Sequence, residues 1–140
     1  MAEVRLILEL KNQLSELARL NQALTEFGER HHLALHVILD VNLALEEIVT
    51  NIISYGFNDK DEHCIRVSLS LNRGELKVEV ADDGQPFNPL EAPIPDTKQP
   101  LEEISPGGLG LHLVRTLMDD VAYQRRPTGN VLVMRKLPKP

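Results

Sequence analysis

Residues 35–55, LHVILDVNLALEEIVTNIISY, decide the fold. Leu35, Ile38, Leu39, Val41, Leu45, Ile48, Val49, Ile52 and Ile53 recur at helical spacing from Leu35 to about Tyr55. They cover most of a helix's circumference, and a helix that is apolar nearly all round is a buried one. Tyr55-Gly56-Phe57-Asn58-Asp59 ends it, with Gly56 as the cap. The few polar residues inside such a helix then need a reason. Within Glu46-Glu47-Ile48-Val49-Thr50-Asn51, Glu47 and Asn51 stand four apart and share one face.

The chain on either side supplies the other elements. Val4 to Leu10 alternates, with Val4, Leu6, Leu8 and Leu10 on one side and Arg5 and Glu9 on the other. That pattern is a short strand, expected at a sheet edge. From about Lys11 to His31, Leu14, Leu17, Leu20 or Ala23, Leu24 and Phe27 mark an amphipathic helix. Cys64 to Leu71 and Glu75 to Ala81 read as two strands around the turn Asn72-Arg73-Gly74. Gly107-Gly108-Leu109-Gly110 precedes a short helix, Leu111 to Asp119, with Leu113, Val114 and Leu117 inward. Val121 to about Arg126 and Val131 to Lys136 form a last hairpin around Pro127-Thr128-Gly129-Asn130. Grouped strands with helices predict an α+β two-layer sandwich, with helices on one face of a mixed, mostly antiparallel sheet.

The 140 residues make one domain, 1–140, long enough to bury a core without disulfide or metal staples. Three Phe, two Tyr and no Trp require that core to be aliphatic. The net charge of −6 argues against a direct nucleic-acid binder, which shows a basic face. A single cysteine, Cys64, excludes an internal disulfide framework and fits a reducing compartment. At the head of a strand it is expected to be a small buried hydrophobe. The opening MAEVRLILELKN has no signal-peptide pattern, and no stretch is apolar over the roughly 18 residues of a membrane span. A cytoplasmic protein with no membrane association is expected. His31, His32 and His36 lack zinc-ligand spacing and read as surface or core histidines; Met118 and Met134 read as core fillers.

Three places can carry chemistry, and each has a plainer reading. Glu47 and Asn51 in an apolar helix suit a polar cleft. There a carboxylate accepts a proton and an amide oxygen offers itself to a hard cation. The plainer reading is a solvated stripe with a side-chain hydrogen bond. In Ala81-Asp82-Asp83-Gly84-Gln85-Pro86-Phe87, Asp82 at a strand end can accept from an exocyclic amine such as adenine N6. Gly84 there lets a flat ring approach the backbone, unless the segment is an ordinary Asp-Gly turn. Gly107-Gly108-Leu109-Gly110-Leu111 opens a helix, where successive N–H groups and the helix dipole favour anions, unless it is a flexible loop end. No Gly-Lys-Ser/Thr follows, so this is not a P-loop. Residues 85–106 hold six of the nine prolines and little periodicity, and such a long irregular segment is usually functional.

In order, EEIVTN, ADDGQPF and GGLGLHLV resemble the motifs of the Bergerat-fold (GHKL) ATPases. That superfamily includes type II topoisomerase subunits, a heat-shock chaperone, histidine kinases and a mismatch-repair ATPase. The chain's brevity and its DDGQPFNP string are similar to the bacterial anti-sigma-factor serine/threonine kinases. The resemblance implies an ATP-binding kinase that uses Mg²⁺, with 85–106 as its ATP lid. It implies Glu47 as the catalytic residue and Asn51 as the magnesium ligand. Asp82 and Gly84 would read adenine, and Gly107, Gly108, Leu109, Gly110 and Leu111 would lie under the phosphates. It implies phosphorylation of an antagonist protein, inhibition of a sigma factor, and a homodimer. The sequence departs from the pattern in three places. Pro86 replaces a glycine, and Asn130 stands where many members carry threonine. The lid has no arginine, so cationic help to the γ-phosphate would come from elsewhere, Arg115 on the following helix being one candidate. Two other readings stay open: a nucleotide-sensing binding module without phosphotransfer, and a detached catalytic domain of a histidine kinase.

Overall fold

The computed structural model describes residues 3–88 and 108–137. Strand β1 (Val4–Lys11) is followed by a 3₁₀ turn (Leu14–Glu16), helix α1 (Leu17–Arg30) and helix α2 (Leu35–Tyr55). Strands β2 (Cys64–Asn72) and β3 (Glu75–Asp82) come next, then helix α3 (Gly108–Leu117), β4 (Asp120–Arg126) and β5 (Gly129–Lys136). The sheet runs β1-β2-β3-β5-β4, and every pairing in it is antiparallel, so the expected mixed component is absent among the described strands. β1 is an edge, as its short alternating pattern predicts.

The period-2 rule sets the inner face. Ile65, Val67 and Leu69 of β2, Leu76, Val78 and Val80 of β3, and Leu132 and Met134 of β5 point inward. They meet Leu20, Leu24 and Phe27 of α1, Val41, Leu45, Ile48, Val49 and Ile52 of α2, and Val114 of α3. Both layers thus share one aliphatic core, with Met118 and Met134 as buried fillers. Cys64 precedes the inward residue Ile65, so it takes the outer parity and is exposed rather than buried. His31 sits against the Phe27 ring at 4.7 Å, while His32 and His36 are exposed.

Several expectations shift. The sheet claims Lys11, which pairs with Cys64, so helix α1 starts at Leu17 rather than near Lys11. α2 keeps its predicted limits but is not covered all round. Leu35, Leu39 and Leu43 are 70%, 53% and 49% exposed, a stripe at i, i+4, i+8. α2 touches α1 and α3 at its flanks and the sheet below, and in a two-layer fold no described element lies over its outer side. α3 begins at Gly108 and directs Val114 and Met118 inward, which turns Leu113 outward. The last turn is only Pro127-Thr128, because Gly129 and Asn130 already pair within β5.

The inner row of β5 runs Asn130, Leu132, Met134, Lys136, opposite Asp82, Val80, Val78 and Leu76 of β3. Register therefore drives a polar residue into the layer at each end. Lys136 pairs with Asp40 of α2 (3.3 Å) and donates to the Leu117 carbonyl, fastening the end of α3 to both layers. Asp82 and Asn130 meet at the opposite end.

Candidate functional site

Asp82 occupies the last inward position of β3 and Asn130 the first inward position of β5. Above them opens a narrow cleft. Its walls are aliphatic, from Ile48 and Ile52 of α2, Val80 and Leu132 of the sheet; Phe87 and Tyr123 add aromatic faces. Asp82 and Asn130 are its polar members besides the tyrosine hydroxyl. A mostly apolar concavity with a few convergent polar groups is the ordinary form of a small-molecule site.

The hydrogen bonds at this floor close on one another. Asp82 Oδ1 accepts from the Gly84 N–H (2.8 Å) and from Asn130 Nδ2 (3.0 Å). Asn130 Nδ2 also donates to the Gln85 carbonyl (2.8 Å), and its Oδ1 accepts the Tyr123 hydroxyl proton. Arg125 Nη1 donates to the Gly84 carbonyl (2.7 Å) at the rim. The 84–85 segment is fastened to the C-terminus of α2 as well. Gln85 N–H donates to the Gly56 carbonyl (2.8 Å) and Gln85 Nε2 to the Tyr55 carbonyl (2.7 Å), which satisfies carbonyls that a helix end leaves unpaired. This contact explains Gly84 better than ring approach does. A Cβ there would lie 2.2 Å from the Gly56 oxygen. Gly129 has the same kind of reason, since its Cβ would lie 1.9 Å from the Asp82 carbonyl oxygen.

Glu47 and Asn51 sit on α2 beside the residues that wall the cleft. Asn51 is 3% exposed and Glu47 half-buried. Asn51 Nδ2 donates to Glu47 Oε1 (2.9 Å) and to the Glu47 carbonyl (2.7 Å). Both partners are acceptors, so the amide nitrogen must face them and the amide oxygen is left for another ligand. The structure brings Glu47 to Asn51 and Asp82 to Gly84 but does not join the two pairs directly. Gly108, Leu109, Gly110 and Leu111 form the first turn of α3 rather than a loop ahead of it. Gly107 and the lid positions 89–106 lie outside the described residues.

Behind the floor, His63 links two acids. Its Nε2 lies 2.7 Å from Asp59 Oδ1, its Nδ1 3.0 Å from Asp83 Oδ1, and its ring stacks on Phe57 at 4.3 Å. The Asp59 hydrogen bond raises the His63 pKa above its ordinary 6.5 despite partial burial, and His63 in turn lowers Asp59 below 3.8.

Tyr123 and Arg125 were not singled out by motif reading, and Asn130 was noted only as a departure from the family pattern. One signal was present: a polar Asn after Gly129, opening the otherwise apolar run Val131-Leu132-Val133-Met134. Arg115, the cation proposed from sequence, is half-buried on α3, whereas Arg125 is the arginine that reaches the Asp82–Gln85 loop.

A family model described as a histidine kinase-like ATPase domain matches residues 10–136. Serine/threonine-protein kinase BtrW of Bordetella bronchiseptica is 33% identical over 94 residues, which cover 67% of this chain and 66% of that protein. Serine-protein kinase RsbW of Listeria monocytogenes is 31% identical over 131 residues, 85% of this chain and 77% of its own. The chain thus spans just under two-thirds of the first relative's length. The structure of the RsbU and RsbW domains of Rv1364c from Mycobacterium tuberculosis superposes with a TM-score of 0.70 at 18% identity. The match covers 96% of this chain and 32% of that one, and establishes a shared fold. Among the described residues, no helix is long and apolar enough to cross a membrane.

Proposed function

The chain belongs to the family of histidine kinase-like ATPase domains, and we propose that it transfers the γ-phosphoryl group of ATP to a serine or threonine hydroxyl of another protein. The observation that carries this reading is the placement of one hydrogen-bonded carboxylate–amide pair beside an aliphatic cleft with an aspartate at its floor. The relatives named as serine/threonine-protein and serine-protein kinases support the same choice.

In this reading adenine enters the cleft and its exocyclic amine donates to Asp82. Guanine would present an oxygen to a carboxylate there. N–H groups of the first turn of α3, at Gly108 to Leu111 and with Gly107 before them, face the phosphates, where a helix N-terminus suits negative charge. The hydroxyl oxygen forms its bond to the γ-phosphorus as the bond to the β–γ bridging oxygen breaks. Glu47 takes the hydroxyl proton, and ADP leaves. Mg²⁺ fits the donor set, because the Asn51 amide nitrogen is spent on Glu47 and an oxygen remains for a hard cation. When bound, that ion offsets charge on the β- and γ-phosphates. Residues 1–140 act as one domain with 85–106 as a lid. The phosphorylated protein is an antagonist, the inhibited partner a sigma factor, and the kinase a cytoplasmic homodimer that touches neither membrane nor nucleic acid.

The test incubates the protein with γ-labelled ATP, Mg²⁺ and a candidate antagonist protein that carries an exposed serine. Acid-stable label should appear on serine or threonine. Glu47→Gln should slow transfer roughly 10²- to 10⁴-fold while ATP still binds. Binding without transfer would overturn the kinase reading in favour of a nucleotide-sensing module. Acid-labile label on histidine would point to a detached histidine-kinase domain instead.

A further inference from the structure

We infer that a second copy of this chain docks along the free edge of β1, extending the sheet across a two-fold axis at Ile7. The inference rests on the homodimer reading and deepens it by naming the contact. It stands apart from the phosphotransfer reading, because β2 separates β1 from the strands that line the cleft.

β1 pairs with β2 along its full length, Val4 to Lys11, with neither a bulge nor a proline to blunt its other side. The same register fixes where its backbone groups point. Asn12 N–H donates to the His63 carbonyl (3.1 Å) and so continues the β1–β2 ladder, which means that even-numbered residues turn their N–H and C=O toward β2. Arg5, Ile7 and Glu9 therefore turn theirs outward. The Glu9 carbonyl accepts from Arg19 of α1, as only an outward carbonyl can, and keeps a second lone pair for another strand. A strand that joins this edge must pair with these residues.

The side chains select one alignment. With the axis at Ile7, Arg5 faces the partner's Glu9 and Glu3 faces the partner's Lys11. Ile7, 54% exposed in one copy, meets the partner's Ile7. On the inner side Leu6 faces the partner's Leu8, and half-buried Val4, Leu6 and Leu8 gain cover. Moving the axis to Leu6 would set Glu3 against the partner's Glu9, and moving it to Leu8 would set Arg5 against the partner's Lys11. Like charges directly opposite destabilise a strand pair, so the neighbouring registers are disfavoured. In a chain of net charge −6 the charges of Glu3, Arg5, Glu9 and Lys11 cancel, and two copies meet here without net repulsion at the edge. Glu9 already pairs with Arg66 of β2 (3.1 Å), so the contact interleaves Arg66, Glu9 and the partner's Arg5. A groove between β1 and α1, lined by Leu6, Ala23, Glu26, Phe27 and Arg30, adds apolar surface beside the edge. Both copies use the same patch, as a two-fold contact requires.

Sedimentation velocity measures the dimer dissociation constant of the full chain for the wild type, Ile7→Lys, Arg5→Glu, Glu9→Arg and the double variant Arg5→Glu/Glu9→Arg. The wild type should be a dimer. Ile7→Lys sets two ammonium groups face to face at the axis and should give monomers that circular dichroism shows to be folded. Each single charge reversal acts twice across the axis and should weaken the dimer roughly 10-fold or more. The double variant rebuilds the pair with its signs exchanged and should recover most of that loss; Arg66 neighbours position 9 in both Glu9→Arg and the double variant, so the recovery reads the contact between copies. Losses in the single variants with no recovery in the double would overturn the axis at Ile7. A dimer that Ile7→Lys and Arg5→Glu leave intact would overturn the inference and keep the homodimer reading, with its contact on another face. A wild type that stays monomeric up to millimolar concentration would remove the homodimer reading and the inference with it.

Discussion

At the floor of the cleft, the proposed base end, Asp82, Gly84, Gln85, Asn130, Tyr123 and Arg125 are joined in one network that also closes the C-terminus of α2. Further back on the same helix, Glu47 and Asn51 bond to each other and to the helix's own backbone. The first arrangement draws on three strands and a helix end, so no single rotamer change can undo it. The second is local to one helical turn and leaves a carboxylate oxygen and an amide oxygen uncommitted among the described residues. Recognition needs a fixed pattern before the ligand arrives, because an ordered acceptor rejects the wrong base by leaving it unpaired. Phosphoryl transfer needs groups that acquire their partners from the ligand, since its electrostatic work is done on charge the nucleotide brings.

The sharpest way to break the contrast is Gly84→Ala. Its Cβ would lie 2.2 Å from a backbone oxygen at the end of α2, which no flexible side chain can yield. The 84–85 segment must lift and release the Gln85 bonds, at a cost on the order of 3 kcal/mol. Urea denaturation should show the loss, and ATP binding should weaken with it. An alanine variant as stable as the wild type would mean that the base end is looser than its hydrogen bonds describe.

The next test works the other end. Gly110 lies in the first turn of α3, where glycine is a poorer helix former than alanine by up to about 1 kcal/mol. Gly110→Ala should therefore raise the melting temperature while weakening ATP binding, if a side chain is added where the proposed site places the phosphates. A rise in both stability and affinity would separate this glycine from the phosphates and keep it only as a helix-start residue.

Much of this was legible before any coordinates. The limits of α2 came from its own periodicity, and the pairing of Glu47 with Asn51 from the i, i+4 rule. Both are local signals. What escaped depends on which strands become neighbours. Nothing in GNVLVMRK says that β5 will lie beside β3, so neither the Asp82–Asn130 contact nor the buried Lys136 could be read from the pattern alone. Leu35 and Leu39 were misread as buried for a related reason: hydrophobicity reports that a face can be buried, not that a second layer exists to bury it. Cys64 shows that parity outranks residue type, because Ile65, Val67 and Leu69 claim the inner face and leave it outside.

The smallest expected effect lies behind the base end, at the link between the α2–β2 connection and Asp83. The raised His63 pKa means that the folded state binds a proton more tightly than the unfolded chain does. Its contribution to stability is fully present below the ordinary value of 6.5 and fades as pH rises through the higher folded value. Asp59 behaves in the opposite sense: its contribution is present above 3.8 and is lost as pH falls through its lowered value. The link is therefore strongest in the mildly acidic window between the two. Thermal melts of the wild type and His63→Gln from about pH 5 to 9 should show a wild-type advantage that shrinks toward alkaline pH, and more at low than at high salt, since the pair is near the surface. An advantage that stays constant across the range would assign His63's role to its stacking on Phe57 rather than to its charge. The base end would then be held from behind by packing, with the hydrogen-bond network around Asp82 as its electrostatic element among the described residues.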